Sequence, residues 1–323
     1  MERPDKKAGF VSFSDWRAVT HFARYYLNVG DEAVITRRWY AGRISGARMR
    51  ALARRYGLAV GGDQRASASV RTETLAWPSL VEMVIDLPAT VEEYRKSLPR
   101  SAISDLNRIL RHGLSMKVSH DTSRLKEFHR LHFLPSVTGR HGSDAYVISW
   151  DQFRQFYSEG RDCELIEVWC AGVWVGGLVS ETDETGVRFR RLGWLNGDST
   201  HHRKGLVGVL YWFAIKRAIE HGKEQIVLGG GAPYLEDGLF HAKGKWRARL
   251  SCERSGYAVW RVMIDSTHED CRAFFARYSL LMKSNETGQF KVLSGRPPHD
   301  VRQASAQSEQ IIEWQRLDEL PNA

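Results

Sequence analysis

Cations dominate the residues whose types and spacing could do chemistry. Lys243, Lys245, Arg247 and Arg249 alternate along one short stretch. A second cluster holds Arg95, Lys96, Arg100, Arg108, Arg111 and Lys117. A third runs from Arg37 to Arg71 with Asp63 as its only acid. The planar fork of arginine matches phosphate oxygens, so these clusters point to phosphorylated or polyanionic ligands. For Arg43, Arg50 and Arg54 the competing reading is a solvated helix face, because their spacing is helical. His202-Arg203-Lys204-Gly205-Leu206-Val207-Gly208 sets cations and glycines before an apolar run. Backbone N–H groups at such a helix start can face an anion; the plainer reading is a basic loop. Gly229 to Gly238 is rich in glycine and carries Tyr234, Glu236 and Asp237. A carboxylate there could accept a proton, with Asp237 nearer Lys243 in sequence; the alternative is a turn with a solvated acid. Thr138-Gly139-Arg140-His141-Gly142 adds a cation and an imidazole base, although a lone loop histidine is ordinarily structural.

Other chemistries find little support. Cys163, Cys170, Cys252 and Cys271 form no C-x-x-C pair, so no zinc module is expected and the thiols read as reduced. His201 and His202 are adjacent and diverge on an extended chain, which makes no metal pair. No apolar run approaches the roughly 18 residues of a membrane span, and no apolar segment follows the charged first residues. A cytoplasmic protein is expected. The net charge of +9 favours anionic partners, while 323 residues with 42% hydrophobic content suffice for a sizeable core or two.

The elements that must position these residues follow from capping and periodicity. Ser14 caps an expected helix to about Leu27, Ala33 to Ile35 reads as a strand, and Ser45 caps a helix that stops at Gly57. Leu80 to Leu87 alternates as a strand. Thr90-Val91-Glu92-Glu93 is a capping box, and a second helix from Ser101 closes at Gly113. A strand at Leu114 to Val118, a helix over Thr122 to Val137 and a short helix at Trp150 to Tyr157 come next. Glu164 to Cys170, Val173 to Glu181 and Gly186 to Trp194 are three strands joined by tight turns. A long helix from Arg203 to His221 leads to a strand at Ile226 to Leu228. A short helix near Phe240 and strands near Leu250 and over Tyr257 to Ile264 follow. Helices are expected at Glu269 to Met282 and at Ser308 to Leu317. The order gives an α+β fold with a mixed, mostly antiparallel sheet flanked by helices.

Residues 88–265 in this order resemble the FemABX-like branch of the GNAT acyltransferase superfamily, including its GNAT_6 or BioF2-like members. Leu98-Pro99-Arg100-Ser101-Ala102-Ile103-Ser104-Asp105-Leu106-Asn107-Arg108 is similar to the family's basic helix. Glu164 to Val168 with Val173-Trp174-Val175-Gly176-Gly177-Leu178 looks like its Gly-Gly hairpin. Arg203 to Ala218 resembles the helix of the second half of the core, and Ile226 to Gly231 the strand ending D-x-G-G. Phe240-His241-Ala242-Lys243-Gly244-Lys245-Trp246 resembles the F-K-x-x-F/W-G box. Leu228 stands in place of the usual acid, Ala242 in place of a Phe, and Arg247 in place of the closing Gly. The helix-start cue Q/R-x-x-G-x-G/A is met at Gly205 and missed at Val207.

The resemblance implies an acyltransferase that forms an amide bond on an amine acceptor. Lys243 would lie near the transfer centre, with Asp237 taking the amine proton. Arg203, Lys204, Gly205 and Gly208 would bind the donor. Arg140, His141 and Tyr234 would bind the acceptor, a small-molecule or peptide amine. No permanent cofactor is implied. The donor is expected to be aminoacyl-tRNA, held by the basic clusters, with acyl-CoA as the alternative. A non-catalytic nucleic-acid-binding protein is the second alternative. The implied organisation is a partial GNAT-like half over 1–88, an acyltransferase core over 89–293 and a polar tail over 294–323 with one helix.

Overall fold

The computed structural model describes residues 45–62, 67–142, 147–158, 162–184, 186–251, 259–284, 289–297 and 311–320. The expected helix from Ser14 and strand at Ala33 to Ile35 lie outside them, as do Arg37, Arg38, Arg43, Arg65 and Cys252.

Capping residues set the first elements. Helix α1 (Gly46–Tyr56) begins where the Ser45 side chain accepts from the Arg48 N–H, and it ends at Gly57 with φ +82°. Strand β1 (Leu58–Gly62), α2 (Ala68–Glu73), β2 (Leu75–Pro78) and β3 (Val81–Asp86) follow. The Thr90 capping box is formed, with Glu93 returning to the Thr90 N–H, and it opens α3 (Val91–Ser97). Pro99 precedes α4 (Arg100–Arg111), and β4 (Leu114–Ser119) follows Gly113.

The expected helix over Thr122 to Val137 has three parts. These are α5 (Thr122–Phe128), a π-helical turn over His129–Phe133, and α6 (Leu134–His141). Helix α7 (Trp150–Ser158) leads into β5 (Asp162–Cys170), β6 (Val173–Thr182) and β7 (Gly186–Trp194), all antiparallel in sequence order as expected. Gly205 at φ +86° splits the long helix into α8 (Ser199–Arg203) and α9 (Leu206–Glu220). Strand β8 (Gln225–Gly231), α10 (Gly238–Gly244), β9 (Arg249–Leu250), β10 (Val259–Ile264) and α11 (Glu269–Phe275) come next. Strands β11 (Leu280–Lys283), β12 (Phe290–Ser294) and β13 (Ile311–Arg316) close the chain.

Two expectations are corrected here. The helix from Glu269 stops at Phe275, and Leu280–Lys283 is a strand paired with β12. The helix expected at Ser308 to Leu317 is strand β13, parallel to β12. In both stretches pairing along a sheet overrides local helix preference.

The chain divides into two compact units, each discontinuous in sequence. One comprises residues 1–81, 230–241 and 250–323. Its sheet runs β1-β10-β2-β11-β12-β13. Its core joins Trp77, Tyr234, Trp260, Phe274, Phe275 and Leu280. A second cluster packs Met49 and Ala53 of α1 on Ala59 and Met263.

The other unit comprises residues 82–229 and 242–249, with a sheet in the order β4-β5-β6-β7-β8-β3-β9. Neighbouring glycines mark the two faces of β6. A Cβ on Gly176 would stand 2.6 Å from Leu206 of α9, and one on Gly177 would stand 2.9 Å from Phe128 of α5. Helix α9 therefore covers one face and α5 the other. Helix α9 buries Leu206, Val209, Leu210, Ala214, Ile215 and Ala218. The mixed, antiparallel-dominated α+β class is as expected. Among the described residues no helix is long and apolar enough to cross a membrane, and no group of three or more His, Cys, Asp or Glu could hold a metal ion.

Candidate functional site

Strands β7 and β8 are parallel but pair over only three positions, Gly186 with Gln225, Val187 with Ile226 and Arg188 with Val227. The pairing ends at Arg188 and Val227. The Lys243 side chain reaches this point. Its Nζ donates to the Gly229 carbonyl at 2.8 Å, and the residue is only 2% exposed. Gly229 itself has φ +73°, a left-handed geometry that suits glycine. Lys243 is thus no exposed basic turn.

Tyr211 enters from α9. Its ring meets Phe189 edge-on at 5.4 Å and lies 6.2 Å from Trp246. Burial pushes its phenol up to about 12, so the hydroxyl keeps its proton at neutral pH. That hydroxyl has no hydrogen-bond partner among the described residues. The Arg140 guanidinium stacks on the Trp194 ring at 4.7 Å, and its charge couples to Tyr211. Trp194 is held in turn by Ser136, whose Oγ accepts from the Trp194 N–H at 2.8 Å and donates to its carbonyl at 3.1 Å.

The stretch after α10 is anchored on both sides. The Tyr94 hydroxyl donates to the Trp246 carbonyl at 2.5 Å, and its pKa is raised by burial. Lys245 pairs with Asp105, and Arg249 Nη2 meets Asp86 at 2.7 Å. The Arg249 hydrogen bond holds the Asp86 carboxyl below its ordinary value.

At the start of α9 the two expected donor glycines face α4. A Cβ on Gly205 would stand 2.5 Å from the Arg108 guanidinium, and one on Gly208 would stand 2.6 Å from the Asp105 carboxylate. Arg108 also pairs with Asp105 at 3.1 Å. The first turn of α9 therefore carries an internal anion, bracketed by Lys245 and Arg108, where a helix N-terminus favours negative charge. Lys204 is exposed beside it, and Arg203 closes α8.

The remaining expected site residues have other surroundings. Asp237 caps α10, its Oδ1 accepting from the N–H groups of Leu239 and Phe240 at 2.8 and 3.0 Å. Tyr234 is 2% exposed in an aromatic core, edge-on to Trp77 and Phe274. His141 ends α6. The structure thus brings Lys243 and Gly229 together, sets Arg140 over Trp194, and places Gly205 and Gly208 against α4. Sequence reading missed Tyr211 and Asp105. The signal for Tyr211 was a phenol inside an otherwise apolar helix. For Asp105 it was an acid in an otherwise basic one.

No protein-family model matches the chain, and no curated protein sequence does. Several solved structures are similar in part. FemX overlaps at 15% identity and a TM-score of 0.43, covering 55% of this chain and 61% of its own. The DUF2156 C-terminal domain of an Agrobacterium fabrum protein assigned as a lysylphosphatidylglycerol synthetase overlaps at 14% identity and a TM-score of 0.40, covering 67% of this chain and 71% of its own. A tandem GNAT protein from the clavulanic acid biosynthesis pathway overlaps at 12% identity and a TM-score of 0.36, covering 68% of each chain. FemX and a tandem GNAT protein thus stand among the structural neighbours.

Proposed function

We propose that the protein is an acyltransferase, forming an amide bond on an amine acceptor in the wedge between β7 and β8. The observation that carries this reading is Lys243, a buried side chain tied to Gly229 where the two strands part. In this reading the Lys243 ammonium and the Tyr211 hydroxyl stabilise the negative oxygen that forms as the amine attacks the acyl carbon; the donor's ester C–O bond then breaks and the amine proton leaves on the freed ribose hydroxyl. Arg140, over Trp194, orients the acceptor, with His141 next to it in the chain. Arg203 and Lys204 approach the donor.

We assign the donor as aminoacyl-tRNA. Support comes from Asp105, whose carboxylate lies at the first turn of α9, where a pyrophosphate would meet like charge. The basic side chains of α4 supply phosphate contacts on this reading, and the stretch Lys243 to Arg249 adds more. A donor panel tests the assignment. The full chain is incubated with charged tRNAs or acyl-CoA esters and an amine mixture, and products are read by mass spectrometry. Amide formed from aminoacyl-tRNA alone is expected. Amide formed from CoA esters alone would reassign the donor, and nucleic-acid binding with no transfer would reject the enzyme.

A further inference from the structure

Four cations lie on the stretch from Lys243 to Arg249, and three of them have acceptors. Lys243 has the Gly229 carbonyl, Lys245 has Asp105 and Arg249 has Asp86. The Arg247 side chain is exposed and has no hydrogen-bond or ion-pair partner among the described residues. Its backbone is also unusual, with φ +62° in a non-glycine residue. L-residues with a Cβ are strained there, and such positions cluster at functional sites.

The neighbours explain why the chain turns at this residue. Trp246 and Ala248 are both 2% exposed, and Tyr94 holds the Trp246 carbonyl. The Arg247 N–H donates to the Gly244 carbonyl at 2.9 Å. Between two buried residues the left-handed turn faces one side chain outward, and glycine would make that turn without strain. An arginine at this position spends stability to keep a guanidinium in the open. Its chain neighbour Trp246 packs 6.2 Å from the ring of Tyr211, which the proposed function places at the transfer centre.

We propose that Arg247 is a phosphate-binding residue that grips a phosphate ester of the acyl donor. The assignment rests on the acyltransferase reading for its role and on the unpaired, strained guanidinium for its chemistry. Phosphate esters occur both in tRNA and in CoA, and the test separates them.

Affinities of the full-length protein for uncharged tRNA and for CoA are measured at two salt concentrations, for wild type, Arg247→Gly and Arg247→Lys. The Arg247→Gly protein is expected to melt higher than wild type, because the backbone strain is relieved. It is also expected to bind one of the two probes about 10- to 100-fold more weakly, with the other unchanged. If that probe is tRNA, the salt slope should fall by about one. Arg247→Lys should recover part of the affinity. Unchanged affinity of Arg247→Gly for both probes, or no binding of either by wild type, overturns the proposal. Acyl transfer by Arg247→Gly with an unchanged KM for the donor would overturn it while leaving the acyltransferase reading intact. Loss of affinity in a protein that transfers no acyl group would support the phosphate site and reject the enzyme.

Discussion

Lys243 and Gly229 meet through a 2.8 Å hydrogen bond at the point where two parallel strands stop pairing. Neither residue would mark a site alone. Together they place a buried amino group beside a left-handed glycine within β8, and the Tyr211 ring meets Phe189 of the neighbouring β7.

Gly193 of β7 lies directly against a neighbouring backbone. A Cβ there would stand 2.5 Å from the backbone carbonyl of His132, in the π-helical turn. Backbone cannot swing aside as a side-chain tip can. Gly193→Ala is expected to cost about 1–3 kcal/mol. In urea the midpoint should fall with little change in slope.

His132 gives the protein an acid-sensitive element. It is 1% exposed, and its Nε2–H donates to the Trp174 carbonyl at 3.1 Å. Nδ1 is buried without a partner among the described residues. Burial pushes the imidazole below its ordinary value, so the folded protein keeps it neutral where the unfolded chain protonates it. The associated stability is therefore present above pH ~6.5 and is lost as pH falls towards the folded value, by up to ~1.4 kcal/mol per unit. Thermal melts from pH 7.5 to 5 should fall for wild type and fall less steeply for His132→Gln.

Much of this arrangement was legible in the sequence because it is local. The Ser45 cap, the Thr90 box, the Gly113 stop and the Gly176-Gly177 hairpin each depend on a few adjacent residues, and each is formed. The lysine box was visible as a pattern, and its departure from that pattern, Arg247 for glycine, falls at a positive φ. The misreadings have a common cause in long-range pairing. Leu280–Lys283 and Ile311–Arg316 are strands because β12 lies beside both. Asp105 showed only as a lone acid in a basic helix, because its meaning comes from Lys245, far away in the chain, and from the first turn of α9. Tyr234 and Asp237 stood out by their glycine-rich loop, and the structure packs Tyr234 in the aromatic core and makes Asp237 the cap of α10.

Asp105 tests whether that internal carboxylate guards the start of α9. Asp105→Asn keeps the shape and removes the charge beside Gly208, leaving Lys245 and Arg108 without their counter-ion. It should lower stability by about 1–3 kcal/mol. It should also raise affinity for inorganic pyrophosphate in a calorimetric titration, since two cations and a helix N-terminus then face the anion. Equal pyrophosphate binding by wild type and variant would remove the guarding role.

The most direct test of the central claim is the rate of amide formation by wild type and Lys243→Met, measured by mass spectrometry with saturating aminoacyl-tRNA and amine. Methionine fills similar volume, so the fold should survive with a loss of about 1–3 kcal/mol from the Gly229 carbonyl left without its donor. If Lys243 stabilises charge at the transfer centre, kcat should fall on the order of 10²–10³. A folded Lys243→Met protein that forms amide at the wild-type rate would contradict the account.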